Sequence, residues 1–295
     1  MAALPQAQHF KSLFASFSAE KEESSFHPIT LGNVTPYIDS KPDAAEAAGM
    51  ENEIICGANA VGALFRVRGA DVLRLFYTQA ARQTVGHWCA EMARTKRPYR
   101  ELPPDEMARA AGTTHHGGIA AVVKPRYIPI FDRKAPPVAP FLLVLDGVAN
   151  PHNLGAIARS AAFFGVKDLL IHEVPWGAMP SDAAYRTAEG AMEHLRIHKT
   201  RDLPQALSAL TPHYRTVAAG LGTSAMRLES LPRDRPVALV LGNEENGVSP
   251  AVLAACRREV RVEPRGPMQS LNVAQAAAVL LHALTLPAPV PPPII

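Results

Sequence analysis

A single basic side chain lies within a long apolar segment of the C-terminal half. Arg159 is the only charged residue between Asn153 and Lys167. A guanidinium in such surroundings needs a carboxylate, a phosphate or water as its partner. Asn153 precedes Arg159 by less than two helical turns, so both side chains lie near the same helix end. This spacing predicts a phosphate-binding site, and an ordinary ion pair with Asp or Glu is the alternative.

Two other polar loops carry candidate site residues. Gly242 and Glu244 follow the apolar run of residues 237–241, and Ser270 and Asn272 precede an apolar helix pattern. Glycine lets a backbone approach a ligand closely, and the polar side chains can orient a substrate. Structural alternatives are open for two of them. Glu244 can tie down a neighbouring loop, and Ser270 can be a helix N-cap.

The segments that must position these residues alternate between strand and helix. Continuous apolar runs at residues 141–145 and 237–241 are typical of buried parallel strands. Further strand patterns at 166–172 and 216–219 are separated by helix patterns, one of which ends at Gly165. The alternation favours an α/β fold with a mostly parallel sheet and helices on both faces. Ligands of such sheets collect beyond the carboxyl ends of the strands.

The N-terminal part predicts a separate, smaller α/β unit. Strand patterns at residues 72–77 and 118–123 alternate with helix patterns at 80–95 and after Pro104. Residues 66–134 contain 13 Lys/Arg and 6 Asp/Glu, so this segment carries +7 and the rest of the chain −4. Such asymmetry is typical of a module that meets nucleic-acid phosphates, with a solvated basic face as the alternative.

Composition sets the outer limits of the prediction. The predicted segments are a flexible tail (1–47), a small α/β domain (48–125), a Pro-rich linker (126–140), a larger α/β domain (141–286) and a Pro-rich tail (287–295). Three widely spaced cysteines indicate a reducing cytoplasm, without disulfides or a zinc site. No apolar run approaches the ~20 residues that span a bilayer, and no signal peptide is evident. No metal is expected, including at the adjacent pair His115 and His116.

Several other site types are disfavoured. The chain has no Walker A sequence, no CxxC and no recognisable Ser-His-Asp order. Gly220 and Gly222 follow a strand pattern, but no third glycine completes a dinucleotide fingerprint, which argues against a dehydrogenase-like enzyme. Trp88 and Trp176 are interpreted as packing residues rather than stacking platforms for bases.

Three segments resemble, in order, the successive motifs of the SpoU family, the ribose 2′-O-methyltransferases of the SPOUT class that use S-adenosylmethionine. They are LDGVANPHNLGAIARSAAFFGV, LVLGNEENGVS and SLNVAQAAA. GAMEHLRI, between the first two, resembles the family's Gly-Ala-x-Glu segment. The N-terminal unit is similar, less specifically, to the L30e-type RNA-binding module often fused to these enzymes.

The resemblance implies a fold and a set of site residues. It implies a C-terminal α/β-knot, in which a deep trefoil knot forms the cofactor pocket, and a homodimer through this domain. By motif position, Gly242, Val262 and Leu271 line the S-adenosylmethionine pocket, largely through main chain. The motif positions for substrate handling and catalysis are Asn153, Arg159, Glu244, Ser270 and Asn272.

The implied function is S-adenosylmethionine-dependent 2′-O-methylation of a ribose in rRNA or tRNA. Because arginine is effectively always charged, we expect Arg159 to clamp a phosphate and stabilise the developing alkoxide rather than to act as a simple base. We expect Asn153 and Glu244 to hold Arg159 and the loops. One departure is Glu263-Pro264, where family members usually have Pro-Met. It leaves open a non-catalytic RNA-binding protein that retains the knotted fold.

Overall fold

The computed structural model describes residues 52–286, which form two β-sheets and their helices. The strands are β1 (Glu53–Cys56), β2 (Val72–Tyr77), β3 (Tyr99–Glu101), β4 (Ile119–Val123), β5 (Phe141–Asp146), β6 (Asp168–His172), β7 (Arg196–Thr200), β8 (Arg215–Ala219), β9 (Met226–Arg227), β10 (Val237–Gly242) and β11 (Arg258–Arg261). The α-helices are α1 (Ala58–Arg68), α2 (Arg82–Arg94), α3 (Pro104–Ala111), α4 (Pro151–Phe163), α5 (Asp182–Ala188), α6 (Leu203–Leu210), α7 (Pro250–Ala255) and α8 (Val273–Thr285). The tails predicted at 1–47 and 287–295 lie outside the described residues.

The N-terminal sheet has the order β1-β4-β2-β3. Its pairings are antiparallel except for β2 with β3. The β-branched and apolar residues of β2 and β4 bury one face of this sheet under α1 and α2, because a half-buried sheet must be covered on its apolar side. Trp88 is buried and stacks on Phe65 with ring centroids 5.5 Å apart, which confirms its interpretation as a packing residue.

The C-terminal sheet has seven strands in the order β7-β6-β5-β10-β8-β11-β9. Each neighbouring pair is parallel. Every residue of β5 and β10 is buried, as their continuous apolar sequences predicted. The mostly parallel α/β fold is therefore confirmed. The path of the chain through a trefoil knot stays a prediction.

The parallel arrangement brings the polar loops to one edge of this sheet. β5 and β10 pair in register, so Asp146 lies opposite Gly242 where both strands end. Helix α8 packs on α4, the helix that follows β5. The loop before α8 and the loops after β5 and β10 therefore meet, although the sequence separates them widely.

The predicted linker, residues 126–140, runs along the edge of the larger sheet. The N–H of Phe131 donates to the Lys199 carbonyl at 2.8 Å, and the Phe131 side chain is buried. The Tyr214 hydroxyl donates to the Pro137 carbonyl at 2.6 Å. These contacts fix the segment on the C-terminal part of the chain. The domain boundaries stay a prediction.

The small sheet's helix α1 docks on the turn that follows α5. Arg68 contacts the carboxylate of Glu193 through Nε and Nη2 at 2.9 and 3.1 Å. Arg126 donates to the carbonyl oxygens of Met192 and Leu195. Because the Glu193 side chain is almost fully buried, this pairing compensates the cost of desolvating its charge. The GAMEHLRI segment thus anchors the N-terminal unit.

Helix α8 begins after Asn272, whose side chain caps it by accepting from the N–H of Ala274 at 2.8 Å. Ser270 lies two residues earlier and is exposed. The alternative of Ser270 as the N-cap was therefore wrong, because the amide of Asn272 already satisfies the orphan N–H group. In the stretch from residue 52 to 286, no helix has the length and apolarity to cross a membrane.

Candidate active site

The turn after β10 folds back over the last residue of its own strand. Asn243 and Gly247 exchange two main-chain hydrogen bonds, each of 2.9 Å. A methyl group on Gly242 would lie 2.1 Å from the carbonyl carbon of Gly247 and from the nitrogen of Val248. Only glycine fits so close to another backbone segment. Glu244 lies inside this turn, which therefore holds it at the edge of the sheet.

Polar side chains tie this loop to the end of β5. Asn243 donates through Nδ2 to the Gly147 carbonyl at 2.9 Å. The buried carboxylate of Asp146 accepts from the Ser249 N–H at 2.8 Å and lies 2.8 Å from Nδ1 of His172. Burial opposes ionisation of Asp146, but these hydrogen bonds outweigh it and hold the pKa of the carboxyl below its usual value.

Glu244 joins two loops through three hydrogen bonds. Its carboxylate accepts from the N–H groups of Ala149 and Asn150 at 3.0 and 3.2 Å, and from Nδ2 of Asn153 at 2.7 Å. Partial burial opposes ionisation, but the donated hydrogen bonds prevail and lower the pKa of this carboxyl. The alternative in which Glu244 ties down a neighbouring loop is therefore confirmed.

The starts of α4 and α8 meet beside Glu244. Nδ2 of Asn272 donates to Oδ1 of Asn153 at 3.2 Å, so the two asparagines and Glu244 form a connected chain. Asn150 caps α4 by accepting from the N–H of His152, as Asn272 caps α8. Two helix N-termini that lie together favour an anionic group between them, because each carries a partial positive charge.

A crevice of about 640 Å³ opens over this chain of side chains. Its volume falls in the range of small-molecule sites. Trp176 lines it from the loop after β6 and is 66% exposed, so the interpretation of this residue as a packing residue was wrong. The indole lies over Gly147, where an added methyl group would come within 3.2 Å of Nε1. The other lining residues are Ala149, Asn150, Asn153, Asn243, Glu244, Glu245, Asn246 and Asn272.

Arg159 lies six residues, or a little under two turns, further along α4 than Asn153. Its guanidinium is 56% exposed and contacts Oε1 of Glu189 through Nη1 at 2.8 Å. The structure therefore shows the ordinary ion pair that the sequence left open as the alternative to a phosphate site. The expectation that Asn153 and Glu244 hold Arg159 was wrong, because they hold the two loops and each other, whereas Arg159 contacts Glu189 on a different turn. Arg159 is not among the residues that line the crevice.

The three residues assigned to the cofactor lie at the same edge of the sheet. Gly242 ends β10, and Val262 directly follows β11 and packs on the main core. Leu271 is half-exposed in the segment 264–272, all of which is exposed. Within the described chain, the main-chain groups of residues 264–271 make no turn hydrogen bonds with other main-chain groups. The cofactor role of Gly242, Val262 and Leu271 stays a prediction.

The unusual Glu263 is paired rather than free. Its carboxylate accepts from Nε of Arg261 at 3.0 Å and lies 3.6 Å from Nε of Arg227. These arginines offset its charge, which makes it compatible with a neighbouring ligand. Nearby, the main-chain N–H of Gly222 donates to Glu259 at 3.0 Å. The loop that contains Gly220 and Gly222 therefore surrounds a carboxylate of the protein itself.

Sequence reasoning did not include Asp146, Asn243, Trp176 and Glu189 among the site residues. Asp146 ends one buried strand and Asn243 follows another, so their position at a carboxyl end was a signal that could have found them. Trp176 gave a weaker signal, an aromatic residue next to glycine in a predicted loop. Glu189 gave none, because its partner lies on another helix.

Two family models match separate parts of the chain. Residues 140–282 match the SpoU rRNA Methylase family, and residues 54–129 match the family described as RNA 2′-O ribose methyltransferase substrate binding. The chain is 28% identical over 242 residues to the uncharacterized tRNA/rRNA methyltransferase YfiF of Escherichia coli O157:H7, covering 81% of this chain and 70% of YfiF. It is 32% identical over 180 residues to the 23S rRNA (guanosine-2′-O-)-methyltransferase RlmB of Nitrosomonas europaea, covering 60% of this chain and 69% of RlmB.

Solved structures share the fold. The SpoU methyltransferase AviRb from Streptomyces viridochromogenes, in complex with AdoMet, superimposes with a TM-score of 0.65 at 22% identity, covering 83% of this chain and 93% of AviRb. The AdoMet-bound rRNA methyltransferase from Sinorhizobium meliloti gives a TM-score of 0.67 at 20% identity, covering 79% of this chain and 86% of that enzyme. These structures show the fold, and the sequence matches show that the chain belongs to the SpoU family of RNA methyltransferases.

Proposed function

We propose that this protein transfers a methyl group from S-adenosylmethionine to the 2′-oxygen of a ribose in rRNA or tRNA. The observation that carries the proposal is the contact of Glu244 with Asn153 and of Asn153 with Asn272, which joins three loops beside one crevice. The relatives named as guanosine-2′-O-methyltransferases support the choice of the ribose hydroxyl. Two helix N-termini at the crevice suit a phosphodiester.

S-adenosylmethionine, when bound, supplies a methyl group that its sulfonium already activates. The chain's own task is therefore to place the ribose oxygen in line with that methyl group and to help remove its proton. Gly242, Val262 and Leu271 would hold the cofactor through their main chain. Asn153, Glu244, Ser270 and Asn272 would fix the loops around the ribose.

Arg159 would bind the phosphate next to the reacting ribose. A guanidinium presents five N–H donors in a fork that matches phosphate oxygens, and it is charged at every physiological pH. It therefore stabilises negative charge on the ribose oxygen as the proton leaves, and the adjacent phosphate is a suitable acceptor for that proton. The half-exposed guanidinium is accessible to RNA, and its contact with Glu189 leaves donors for a second partner.

The N-terminal unit would carry much of the RNA affinity. Its match to a substrate-binding family and its excess of basic residues support this role. Within the crevice, the exposed indole of Trp176 offers a stacking surface for a base near the reacting nucleotide. Base stacking needs no particular sequence, so this contact would position the RNA strand rather than select it.

Assembly and location complete the proposal. We place the domain division at residues 48–125 and 141–286, with residues 126–140 between them and a trefoil knot in the second part.

Helices α4 and α8 pack together and carry the exposed apolar side chains of Phe163 and Val279, which suits a homodimer. The three free cysteines fit action in the reducing cytoplasm.

The test uses RNA from a strain that lacks this gene. We expect purified protein and radiolabelled S-adenosylmethionine to label that RNA, and RNA from the parent strain to accept less label because its site is already modified. Alkaline hydrolysis should release the label in alkali-resistant dinucleotides, because a 2′-O-methyl group blocks cleavage at the next phosphate. Label in ordinary mononucleotides would indicate base methylation. RNA binding without labelling would support the non-catalytic alternative.

A further inference from the structure

Glu189 adopts a backbone conformation that is unusual for its residue type. It follows α5 with φ of +47°, in the left-handed region that favours glycine. Among the described residues other than glycine, Lys96 alone shares a positive φ. The following residue is Gly190, so the turn already contains a glycine. A side chain kept in such a conformation is often held there for function, because glycine would fit with less strain.

The Glu189 carboxylate connects the two parts of the chain. Its Oε1 contacts Nη1 of Arg159 at 2.8 Å, and its Oε2 accepts from Nδ2 of Asn59 at 3.0 Å. Asn59 lies in the first turn of α1, in the unit that matches a substrate-binding family. One side chain therefore contacts both the candidate phosphate-binding arginine and the RNA-binding module.

The surrounding turn is fixed against α1. A methyl group on Gly190 would lie 2.8 Å from the Asn59 carbonyl oxygen and 2.6 Å from the β-carbon of Ala63. The buried pair of Arg68 with Glu193 anchors the same turn a few residues later. Because the backbone of this turn is held from both sides, the position of the Glu189 carboxylate is defined by the docking of the two units.

The contact with Arg159 is suited to orientation rather than to stability. Both side chains are about half-exposed, and ion pairs of that kind contribute little to folding. A carboxylate bonded at one nitrogen still fixes the plane of a guanidinium and leaves other N–H groups for a phosphate. The orientation of those donors determines whether a bidentate contact with RNA can form.

We propose that Glu189 is a positioning residue for Arg159, which it orients for an RNA phosphate, and that Asn59 links this orientation to the docked RNA-binding unit. This inference rests on the proposed function of Arg159. It predicts that the catalytic arginine is correctly oriented only while the two units are in contact. In this role the carboxylate acts through Arg159 rather than directly on the ribose or the cofactor.

The decisive variant is Glu189→Gly, which removes the carboxylate and relieves the backbone. We expect the thermal midpoint to stay equal or rise, while kcat falls about tenfold and the KM for RNA changes little, because misorientation of a catalytic group lowers the rate. Glu189→Gln should recover part of kcat, since its amide oxygen can still accept from Arg159. A rise in kcat or a lower KM would overturn the proposal, because it would show that Glu189 competes with the phosphate.

A double-variant cycle tests whether Glu189 acts through Arg159. In an Arg159→Ala background, Glu189→Gly should have no further effect on kcat, because residues that act as a unit are non-additive. An equal loss in both backgrounds would contradict the inference. Asn59→Ala should lower kcat less than Glu189→Gly, with Asp105→Asn, on an exposed surface of the same unit, as the control.

A readout without catalysis separates this inference from the proposed function. The ¹⁵N signals of the Arg159 side chain, assigned by their loss in Arg159→Lys, should report restricted guanidinium rotation in the wild type and faster rotation in Glu189→Gly. The same rotation rate in both proteins would overturn the positioning role even if the enzyme is active. A wild type that methylates no RNA but shows the restricted rotation would refute only the proposed function.

Discussion

The Glu244 carboxylate accepts a hydrogen bond of 2.7 Å from the side chain of Asn153, 91 residues away in the sequence. The contact joins the turn after β10 to the first turn of α4. It also fixes the Asn153 amide so that its oxygen, Oδ1, accepts a hydrogen bond from Nδ2 of Asn272. One exposed carboxylate thereby organises three loops that the sequence separates, and its removal should affect the site more than the fold.

Replacing Glu244 with alanine should lower the rate of methyl transfer strongly. The N–H groups of Ala149 and Asn150 would lose their acceptor, but they can reach water because the site is exposed. We therefore expect a loss of only about 1 kcal/mol in the free energy of unfolding, measured in urea. Glu229→Gln, at an exposed position outside the crevice, is the control and should leave the rate unchanged. A rate equal to wild type in Glu244→Ala would refute the role of this contact.

Acid should release the loop that Asp146 holds. Its folded-state pKa is lowered, so its contribution to stability is present above the unfolded value of about 3.9 and is lost as the pH falls through the folded value. Urea titrations should show a constant difference in unfolding free energy between wild type and Asp146→Asn from pH 6 to 5. Below about pH 4 the difference should shrink. A difference that grows with acid would contradict the assigned direction.

Gly242→Ala should damage the turn after β10. The added methyl group would lie 2.1 Å from the backbone at Gly247 and Val248, which cannot move aside as a side chain can. We expect a loss of about 1–3 kcal/mol in unfolding free energy, as for other overpacked sites, together with weaker binding of S-adenosylmethionine in calorimetry. Gly86→Ala, on an exposed face of α2 in the N-terminal unit, is the control for both measurements, because no atom lies within 4 Å of its added methyl group. Equal stability of the two variants would show that the turn adjusts.

Arg159→Lys should lose most of the single-turnover rate of methyl transfer, although the charge is kept. Lysine is a point charge and cannot reproduce the planar fork of a guanidinium. Removal of one oriented donor in a transition state costs about a hundredfold in rate. Arg201→Lys, at a position that is 84% exposed and paired with Glu173, is the control. If Arg159→Lys kept most of the rate, the planar fork of the guanidinium would not be required for methyl transfer.

Trp176→Ala should weaken RNA binding without affecting the fold. Because the side chain is 66% exposed, little buried contact is lost, and the thermal midpoint should not change. Loss of one stacked base typically costs about 1–3 kcal/mol of binding free energy. Trp176→Phe should retain part of the affinity, whereas Val138→Ala, at another exposed apolar position, should have no effect. Full affinity in Trp176→Ala would exclude the stacking contact.

The sequence by itself determined the class of fold and the order of its elements. Runs such as those of β5 and β10 are continuous and apolar, and this local property identifies a buried parallel strand. Motif order then indicated the family, including Glu244 and Asn153 as members of one site. These signals lie in short stretches of the sequence, so they can be found without knowing any tertiary contact.

Only the tertiary structure decided which side chains meet. Sheet order placed Glu244 against Asn153, and the packing of α8 on α4 brought Asn272 to the same point. The same long-range packing gave Arg159 its contact with Glu189 and exposed Trp176 to the crevice. Contacts between side chains that are far apart in the sequence depend on strand order and helix docking. Local periodicity and composition do not determine either of these.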